Sequence, residues 1–384
     1  MTTETISLGC RLNFAEAETI AKSAPRDEHW VVVNSCAVTN EAVRQTRQAI
    51  RRAHRRRPDA RILVTGCAAE LDRRSFERMP EVARVVGNPG KLTVFDVKTS
   101  VAAGSHSQVR SFVAIQNGCD HRCTFCSIWQ ARGPSISLPF EAIRDAVAKE
   151  IDRGAKEIVL TGVDITDYEG GLGSLCQRLL TGEPRLKRLR LSSLDSIEID
   201  DALYELLADE RLMPHYHLSL QAGDDMVLKR MKRRHSRAQA VAAVEKIKRV
   251  RSDATIGADL IAGFPTETEQ MALNSLKLLD DCDVIAAHVF PFSPRPNTPA
   301  ARMPQLDREL VKARAATLRE AAEKRRFAWL ESLVGSIQTV LVESGGKAHT
   351  DSFAPVRIAR IERGELVQAR ITARDGDHLV GVRA

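Results

Sequence analysis

Residues 118–129 read GCDHRCTFCSIW and follow directly on the apolar, β-branched run SFVAIQN at 111–117, so a strand is expected to deliver a short loop carrying Cys119, Cys123 and Cys126. The thiols are spaced C-x3-C-x2-C. Three thiolates this close on one loop can hold three irons of a cubane cluster and leave the fourth iron without a protein ligand, open to a small chelating molecule. A zinc knuckle is the competing reading. It needs a fourth Cys or His at matching spacing, and His121, inside the loop, is badly placed to complete a tetrahedron.

Outward from this loop, strand and helix patterns alternate from residue 111 to about 307. SFVAIQN, EIVLTGV, RLRLSSL, HYHLSLQ, TIGADLIAGF and VIAAHVFPF are the expected strands. Six parallel strands with crossover helices give an open or partial (β/α)6 barrel, whose active site lies at the strands' C-terminal ends. Upstream, TISLGC, WVVVNSC and RILVTGC also alternate with helical patterns, and VARVVGN adds a fourth strand, so a separate parallel-sheet α/β domain is expected. The first three runs end in Cys10, Cys36 and Cys67. Ligands of open parallel sheets sit beyond the carboxyl ends of the strands, which places these three thiols in one crevice. A charged, Ala-rich helix over 307–333 precedes a tail that alternates at period two between Gly and Asp turns, the pattern of a small antiparallel barrel. The expected organisation is an N-terminal domain over 1–92, a polar linker over 93–110, the partial barrel over 111–333 and the small β-barrel over 334–384.

Composition narrows the class. Hydrophobic residues are 43% and charged residues 28% of the 384, which fits a globular chain and excludes fibrous or disordered ones. No run approaches the ~18 apolar residues of a bilayer span, and MTTETISLGC lacks a basic region followed by an apolar one, so a cytoplasmic location without membrane contact is expected. In a reducing compartment, eight cysteines point to metal or redox chemistry rather than disulfides. Cys176 and Cys282 lack partner spacing and are assigned to packing. The net charge of +7 is uneven: residues 44–57 hold seven arginines and no acid, and 229–237 read KRMKRRHSR. Either block alone reads as a solvated helix face; together they favour a polyanionic partner.

With Phe125 ahead of its last cysteine, the loop resembles that of the radical S-adenosylmethionine (SAM) enzymes. The resemblance implies that the amino and carboxylate groups of SAM chelate the open iron, and that an electron from the cluster releases a 5′-deoxyadenosyl radical. Three further segments are similar to the same superfamily: TGVD at 161–164, where a strand end contacts the methionyl amino group; GADLIAGFPTE at 257–267, the glycine-containing fifth strand; and HVFPFSPRPNTPA from His288, the adenine-contacting end of the sixth. The SAM contacts implied on this chain are Thr161, Gly162, Asp164, Gln221, Arg233 and Glu267.

SLGCRLN, VVVNSCAVTN and VTGCAAE resemble the methylthiotransferases, in which the thiolates of Cys10, Cys36 and Cys67 would hold a second [4Fe-4S] cluster, again with an open iron. The likeness continues through LTGVDIT, RLRLSSLD, HLSLQAGDDMVLKRMKRRHS and the final barrel, which is similar to the RNA-binding TRAM domain, and so covers essentially the whole chain. The implied cofactors are two [4Fe-4S] clusters and SAM. One SAM would methylate a sulfur carried on the N-terminal cluster and a second would supply the radical. This chemistry explains the need for both, because an aromatic C–H proton is far too weakly acidic for a general base near neutral pH.

LGCRLN and NSCAVTN are most similar to the group acting on N6-threonylcarbamoyladenosine beside the tRNA anticodon, giving its 2-methylthio derivative. The implied partners are the tRNA anticodon stem-loop and an electron donor of flavodoxin or ferredoxin type, with the enzyme a monomer. Two other readings are carried: methylthiolation of a ribosomal-protein aspartate, distinguished by which macromolecule gains the group, and a zinc-stabilised RNA-binding protein without catalysis. Zinc in a colourless protein would mark the last, and about eight irons in a brown one would mark two cubanes. Trp129 and Gln130 stand where relatives often have Pro and an aromatic, and Ile136 where a basic residue is common, so local contacts differ there. Aromatics are only 4%, which argues against a broad base-stacking platform and for positioning by charge and shape.

Overall fold

Six consecutive buried residues, WVVVNS, form β2 (Trp30–Ser35), the continuous apolar run expected of a strand covered on both faces. The computed structural model describes residues 3–25, 27–96, 101–106 and 109–384. In it, β1 (Glu4–Ser7), β2, β3 (Arg61–Gly66) and the short β4 (Arg84–Val85) form one parallel sheet in that order. Crossovers are made by α1 (Arg11–Ser23), α2 (Asn40–Arg56) and the pair α3 (Cys67–Leu71) and α4 (Arg73–Glu77). Val31, Val33, Ile62 and Val64 pack with Ile50 and Phe76 on one face, and Val32 and Leu63 with Ile20 and Trp30 on the other. The Thr39 hydroxyl accepts the Ala42 N–H and starts α2.

Of the stretch expected as a linker, 97–100 and 107–108 lie outside the described residues. The rest is more ordered than its polarity implies. It holds the end of a 3-10 turn, Lys91–Asp96, and β5 (Ala103–His106), which pairs antiparallel with β6 (Arg110–Ala114). The pairing is a local hairpin, with Ala103 opposite Val113 and His106 opposite Arg110, formed by a small-residue strand that lacks the usual apolar alternation.

After β6 come β7 (Gln116–Asn117), α5 (Ile128–Arg132), β8 (Ile136–Ser137), α6 (Phe140–Asp152), β9 (Glu157–Thr161), α7 (Leu172–Gly182) and β10 (Leu189–Leu191). Then follow α8 (Asp201–Leu206), β11 (His215–Gln221), α9 (Asp225–Met231), α10 (Arg237–Val250), β12 (Thr255–Ala262), α11 (Glu269–Asp281) and β13 (Val284–Pro291). The sheet β10-β9-β6-β5 meets the sheet β11-β12-β13 through parallel bridges Leu189 to Leu212 and Leu194 to Leu218. The result is the six-stranded partial barrel read from the sequence. Ile158, Leu160, Leu189, Leu218, Ile256 and Leu260 point outward into the helices, and Cys176 and Cys282 are fully buried in the same core. Alternate residues face the lumen, as the pleat requires.

α12 (Arg308–Ser332), capped by Asp307, leads to a closed barrel of β14 (Ile337–Ser344), β15 (Lys347–Thr350), β16 (Pro355–Ile358), β18 (His378–Arg383) and β17 (Leu366–Asp375) in that spatial order. Its 351–353 loop plugs the floor of the larger barrel. There Glu157 accepts from Arg110 at 2.6 Å and from Arg188 and Arg190 at 3.0–3.1 Å. Burial alone would raise the pKa of Glu157; the guanidinium groups outweigh it and hold the carboxyl well below its usual range. Asp351 pairs with Arg188, and the Ser352 carbonyl accepts from Thr255 at 3.0 Å. Phe353 stacks on His349 and His215 at 4.7 and 5.6 Å, beneath Arg190 and Arg110. Its φ of +70° is a strained value for a bulky residue, held by that stack.

Phe353→Ala is expected to cost about 2 kcal/mol, less than a fully buried phenylalanine because the ring is half-buried, and to loosen the small barrel from the floor. Limited proteolysis should then cut the connection around 333–336 faster than in the wild type, with the two barrels otherwise intact.

Candidate functional site

The loop after β7 is set by one glycine and one amide. Gly118 has φ +79°, and a Cβ there would lie 1.7 Å from the Pro134 carbonyl oxygen, so only glycine fits. The buried Gln116 side chain donates to the Gly118 carbonyl at 2.8 Å and to Ser135 at 2.9 Å, while its oxygen accepts the N–H groups of Val163 and Asp164 at 3.0 and 2.9 Å. One amide thus ties the cysteine loop to the TGVD strand end. Thr124 fastens the far side, its hydroxyl donating to the Arg230 carbonyl at 2.8 Å and its N–H to that of Met231 at 3.0 Å.

Around the thiols, Asp164 Oδ2 lies 4.0 Å from Cys119 Sγ and 2.5 Å from His121 Nε2. His121 also faces Glu198 at 3.2 Å. Its hydrogen bond to Asp164 raises its pKa. Arg233 reaches Cys123 Sγ at 3.8 Å and is held by Asp195 and the Ser219 carbonyl, both at 2.8 Å; its buried Nε has no partner among the described residues. Burial pushes Cys119 up to about 12 and Cys126 up to about 11. Such thiols need a nearby cation to ionise them near neutral pH.

The second trio forms as the register requires. Cys10, Cys36 and Cys67 each end a neighbouring parallel strand, and Gly9, at φ +93°, leaves the space that Cys36 Sγ fills: a Cβ on Gly9 would meet that sulfur at 2.6 Å. Asn13 donates to the carbonyls of Leu8 and Ser35, and Asn34 to that of Asn13, so both motif asparagines stitch the strand ends. Burial pushes Cys36 up to about 12 and raises Cys10. Cys10 is the exposed member of the trio, and Cys36 and Cys67 are buried.

The short helix α5, continuous with the cysteine loop, joins the trios. Arg132, buried, donates to Glu16 at 2.8 Å, Asn13 at 2.5 Å, Asn117 at 2.9 Å and Cys67 Sγ at 3.3 Å. Asn88 donates to the Ala131 carbonyl at 2.7 Å, and Lys91 pairs with Glu16 at 2.5 Å. Burial would lower the pKa of Arg132, but the charges of Glu16, Cys67 and Cys10 hold it well above its usual value. At the start of α5 the Ile128 N–H donates to Cys126 Sγ at 3.3 Å, so the one short helix touches a thiol of each trio.

Of the residues singled out in the sequence, Asp164 lies beside Cys119 and Arg233 beside Cys123. Thr161 closes β9, and a Cβ on Gly162 would strike Gln116 at 2.9 Å. Gln221, at the end of β11 with φ +67°, and Glu267 make no hydrogen bond to a cluster cysteine among the described residues. Glu267 instead binds Arg314 of α12 and the Gly263 N–H, at 2.9 and 3.2 Å, and clamps the loop after β12. Sequence reading missed Gln116, Glu16, Asn88, Lys91, Arg132 and Asp195. Within the loop region, Arg132 followed by a glycine at a helix end was the available signal.

Comparison with known proteins agrees with this geometry. The Radical SAM superfamily model matches residues 113–279, and that of Uncharacterized protein family UPF0004 matches 2–87. The chain is 41% identical to the threonylcarbamoyladenosine tRNA methylthiotransferase MtaB of Rickettsia prowazekii, over 96% of this chain and 94% of the relative. It is 32% identical to the tRNA-2-methylthio-N(6)-dimethylallyladenosine synthase of Erythrobacter litoralis, over 89% and 86%. The solved radical SAM methyltransferase TsrM of Kitasatospora setae shares the fold, with a TM-score of 0.55 over 74% of this chain and 66% of that one at 14% identity. Partial barrel and open thiol loop define a radical SAM enzyme. The chain belongs to the radical SAM methylthiotransferase family, and its cofactors are two [4Fe-4S] clusters and SAM.

Arg132→Leu leaves Glu16 with Lys91 as its remaining cation and is expected to cost about 3–5 kcal/mol, seen as a lower unfolding midpoint in calorimetry. Because Glu16 also pairs with buried Lys91, the matching control replaces all three charges: Arg132→Leu with Glu16→Leu and Lys91→Met should recover most of the loss, and if the triple variant is no more stable than the single, the buried charges do not hold the domains together.

Proposed function

We propose that this enzyme converts N6-threonylcarbamoyladenosine beside the tRNA anticodon to its 2-methylthio derivative. In this reading Cys119, Cys123 and Cys126 ligate the SAM-binding cluster of the 111–333 domain, and Cys10, Cys36 and Cys67 the auxiliary cluster of the 1–92 domain. The observation that carries it is α5, which starts two residues after Cys126 and whose Arg132 donates to Cys67 Sγ at 3.3 Å, so that one short helix joins the two thiol trios. When bound, the cofactors supply two SAM-dependent steps, methylation of a cluster-borne sulfur and hydrogen abstraction from the substrate carbon.

The chain's own part is positioning. Asp164, negative and next to Cys119, suits the methionyl ammonium of SAM, with Thr161 and Gly162 keeping the strand end clear. The Arg233 guanidinium, with its unpartnered Nε, suits the cofactor's carboxylate. Arg132 neutralises the thiolate charge gathering at Cys67 and Cys10, and the domain contact through α5 keeps water from the chamber.

tRNA as substrate is supported by the relatives' names and by α2, whose exposed Arg52 and Arg55 have no acidic partner among the described residues. The second basic block contributes less than its sequence implies. Arg233, Arg234 and Arg237 pair with Asp195, Glu198 and Asp281, leaving Lys229 and Lys232 exposed without acidic partners. The small barrel over 334–384 adds an RNA-binding module, and a flavodoxin- or ferredoxin-type protein supplies electrons to the monomer.

Mass spectrometry of tRNA nucleosides from cells with and without the gene tests this reading. Loss of 2-methylthio-N6-threonylcarbamoyladenosine is expected. Loss of the dimethylallyl derivative instead, or an unchanged profile, would overturn it. Cys36→Ala should still form 5′-deoxyadenosine from SAM yet make no thiolated RNA, and a variant that still thiolates would refute the role given to the N-terminal thiols.

A further inference from the structure

Arg11 directly follows Cys10 and opens α1, yet its guanidinium lies in the barrel lumen, 5.8 Å from the ring of Phe112 and 5.9 Å from that of Phe353. It is partly accessible, although protein surrounds it. Its neighbours Arg110, Arg188 and Arg190 share Glu157, and two of them also meet Glu343 or Asp351. Arg11 alone of this group has no hydrogen bond and no ion pair among the described residues. A guanidinium presents five N–H donors and is costly to enclose without an acceptor. Aromatic faces orient the group without accepting its hydrogen bonds.

The same lumen carries a polar cluster. Asp259 Oδ1 lies 3.0 Å from His217 Nε2 and 3.2 Å from His288 Nδ1, and the two imidazole rings are 4.6 Å apart. Gly257 clears their wall, since a Cβ there would meet His217 Nδ1 at 2.5 Å. These groups offer donors and acceptors beside the unpaired cation. An apolar substituent entering this space would strand all of them, whereas an acidic, hydroxylated one would satisfy them.

We propose that the lumen is the pocket for the substrate's N6 substituent, with Arg11 binding its free carboxylate and the His217, Asp259 and His288 cluster facing its hydroxyl and ureido groups. The inference rests on the substrate reading above and adds the residue that enforces it. Arg11 thereby joins substrate choice to the auxiliary thiols, because Cys10 is its chain neighbour. The fork of a guanidinium fits a carboxylate through two parallel hydrogen bonds, which lysine cannot reproduce.

The test uses anaerobic holoenzyme and two anticodon stem-loops, one with N6-threonylcarbamoyladenosine and one with its carboxylate methyl-esterified. For the wild type, kcat/KM should fall about 100-fold on the ester. Arg11→Gln should lose about 100-fold on the acid and nothing further on the ester, and Arg11→Lys should fall between. Iron near eight per chain shows that the variant keeps its clusters. Equal wild-type rates on acid and ester overturn the proposal whatever the variants do. An equal loss by Arg11→Gln on both RNAs also overturns it, since the anion bound would then be a backbone phosphate. No turnover of the acid RNA by the wild type would defeat the substrate reading itself.

Discussion

A single buried guanidinium, Arg132, holds the architecture of the site together. It belongs to the barrel by sequence and to the N-terminal domain by contact, donating to Asn13, Glu16 and Cys67 from the end of the helix that follows the cysteine loop. A charge buried this deeply is tolerable only when fully paired, so the two domains have one way to dock. That docking sets three strand-end thiols against three loop thiols. Removing the pairing would leave each cysteine trio intact as a local structure and would dissolve the chamber between them.

The barrel is braced at both ends by the same physics. At the mouth, Gln116 ties loop to strand end through backbone groups, and Arg132 ties both to the N-terminal domain through the side chains of Asn117, Asn13 and Glu16. At the floor, Glu157 gathers three arginines and the small barrel's loop closes over them with Phe353. The lumen between is mixed: Phe112, Ala114 and Val159 pack there with Leu12, and Arg11, His217, Asp259 and His288 add charged and polar groups. A wholly hydrophobic barrel interior would be more stable, and keeping these polar groups in it is consistent with a polar guest.

The fold was readable from periodicity alone, because parallel strands buried on both faces give continuous apolar runs, as in WVVVNS and EIVLT. The six thiols were readable from spacing in the loop and from their recurrence at strand ends. What escaped notice depends on contacts between distant segments. Gln116 looked like an ordinary strand end, and Glu16, Asn88 and Lys91 are unremarkable until Arg132 arrives among them. The basic block at 229–237 looked like a nucleic-acid face because its acids, Asp195, Glu198 and Asp281, lie far away in sequence. Glu267, expected beside the cofactor, answers to Arg314 for the same reason.

The shared chamber is tested most directly by electron paramagnetic resonance of the anaerobic holoenzyme with both clusters reduced. The account predicts spectra broadened by spin–spin coupling between the clusters, reverting to a simple single-cluster signal when either trio is disabled by substitution. Two sharp signals that add without interaction would place the thiol trios too far apart to serve one substrate atom, and would contradict it.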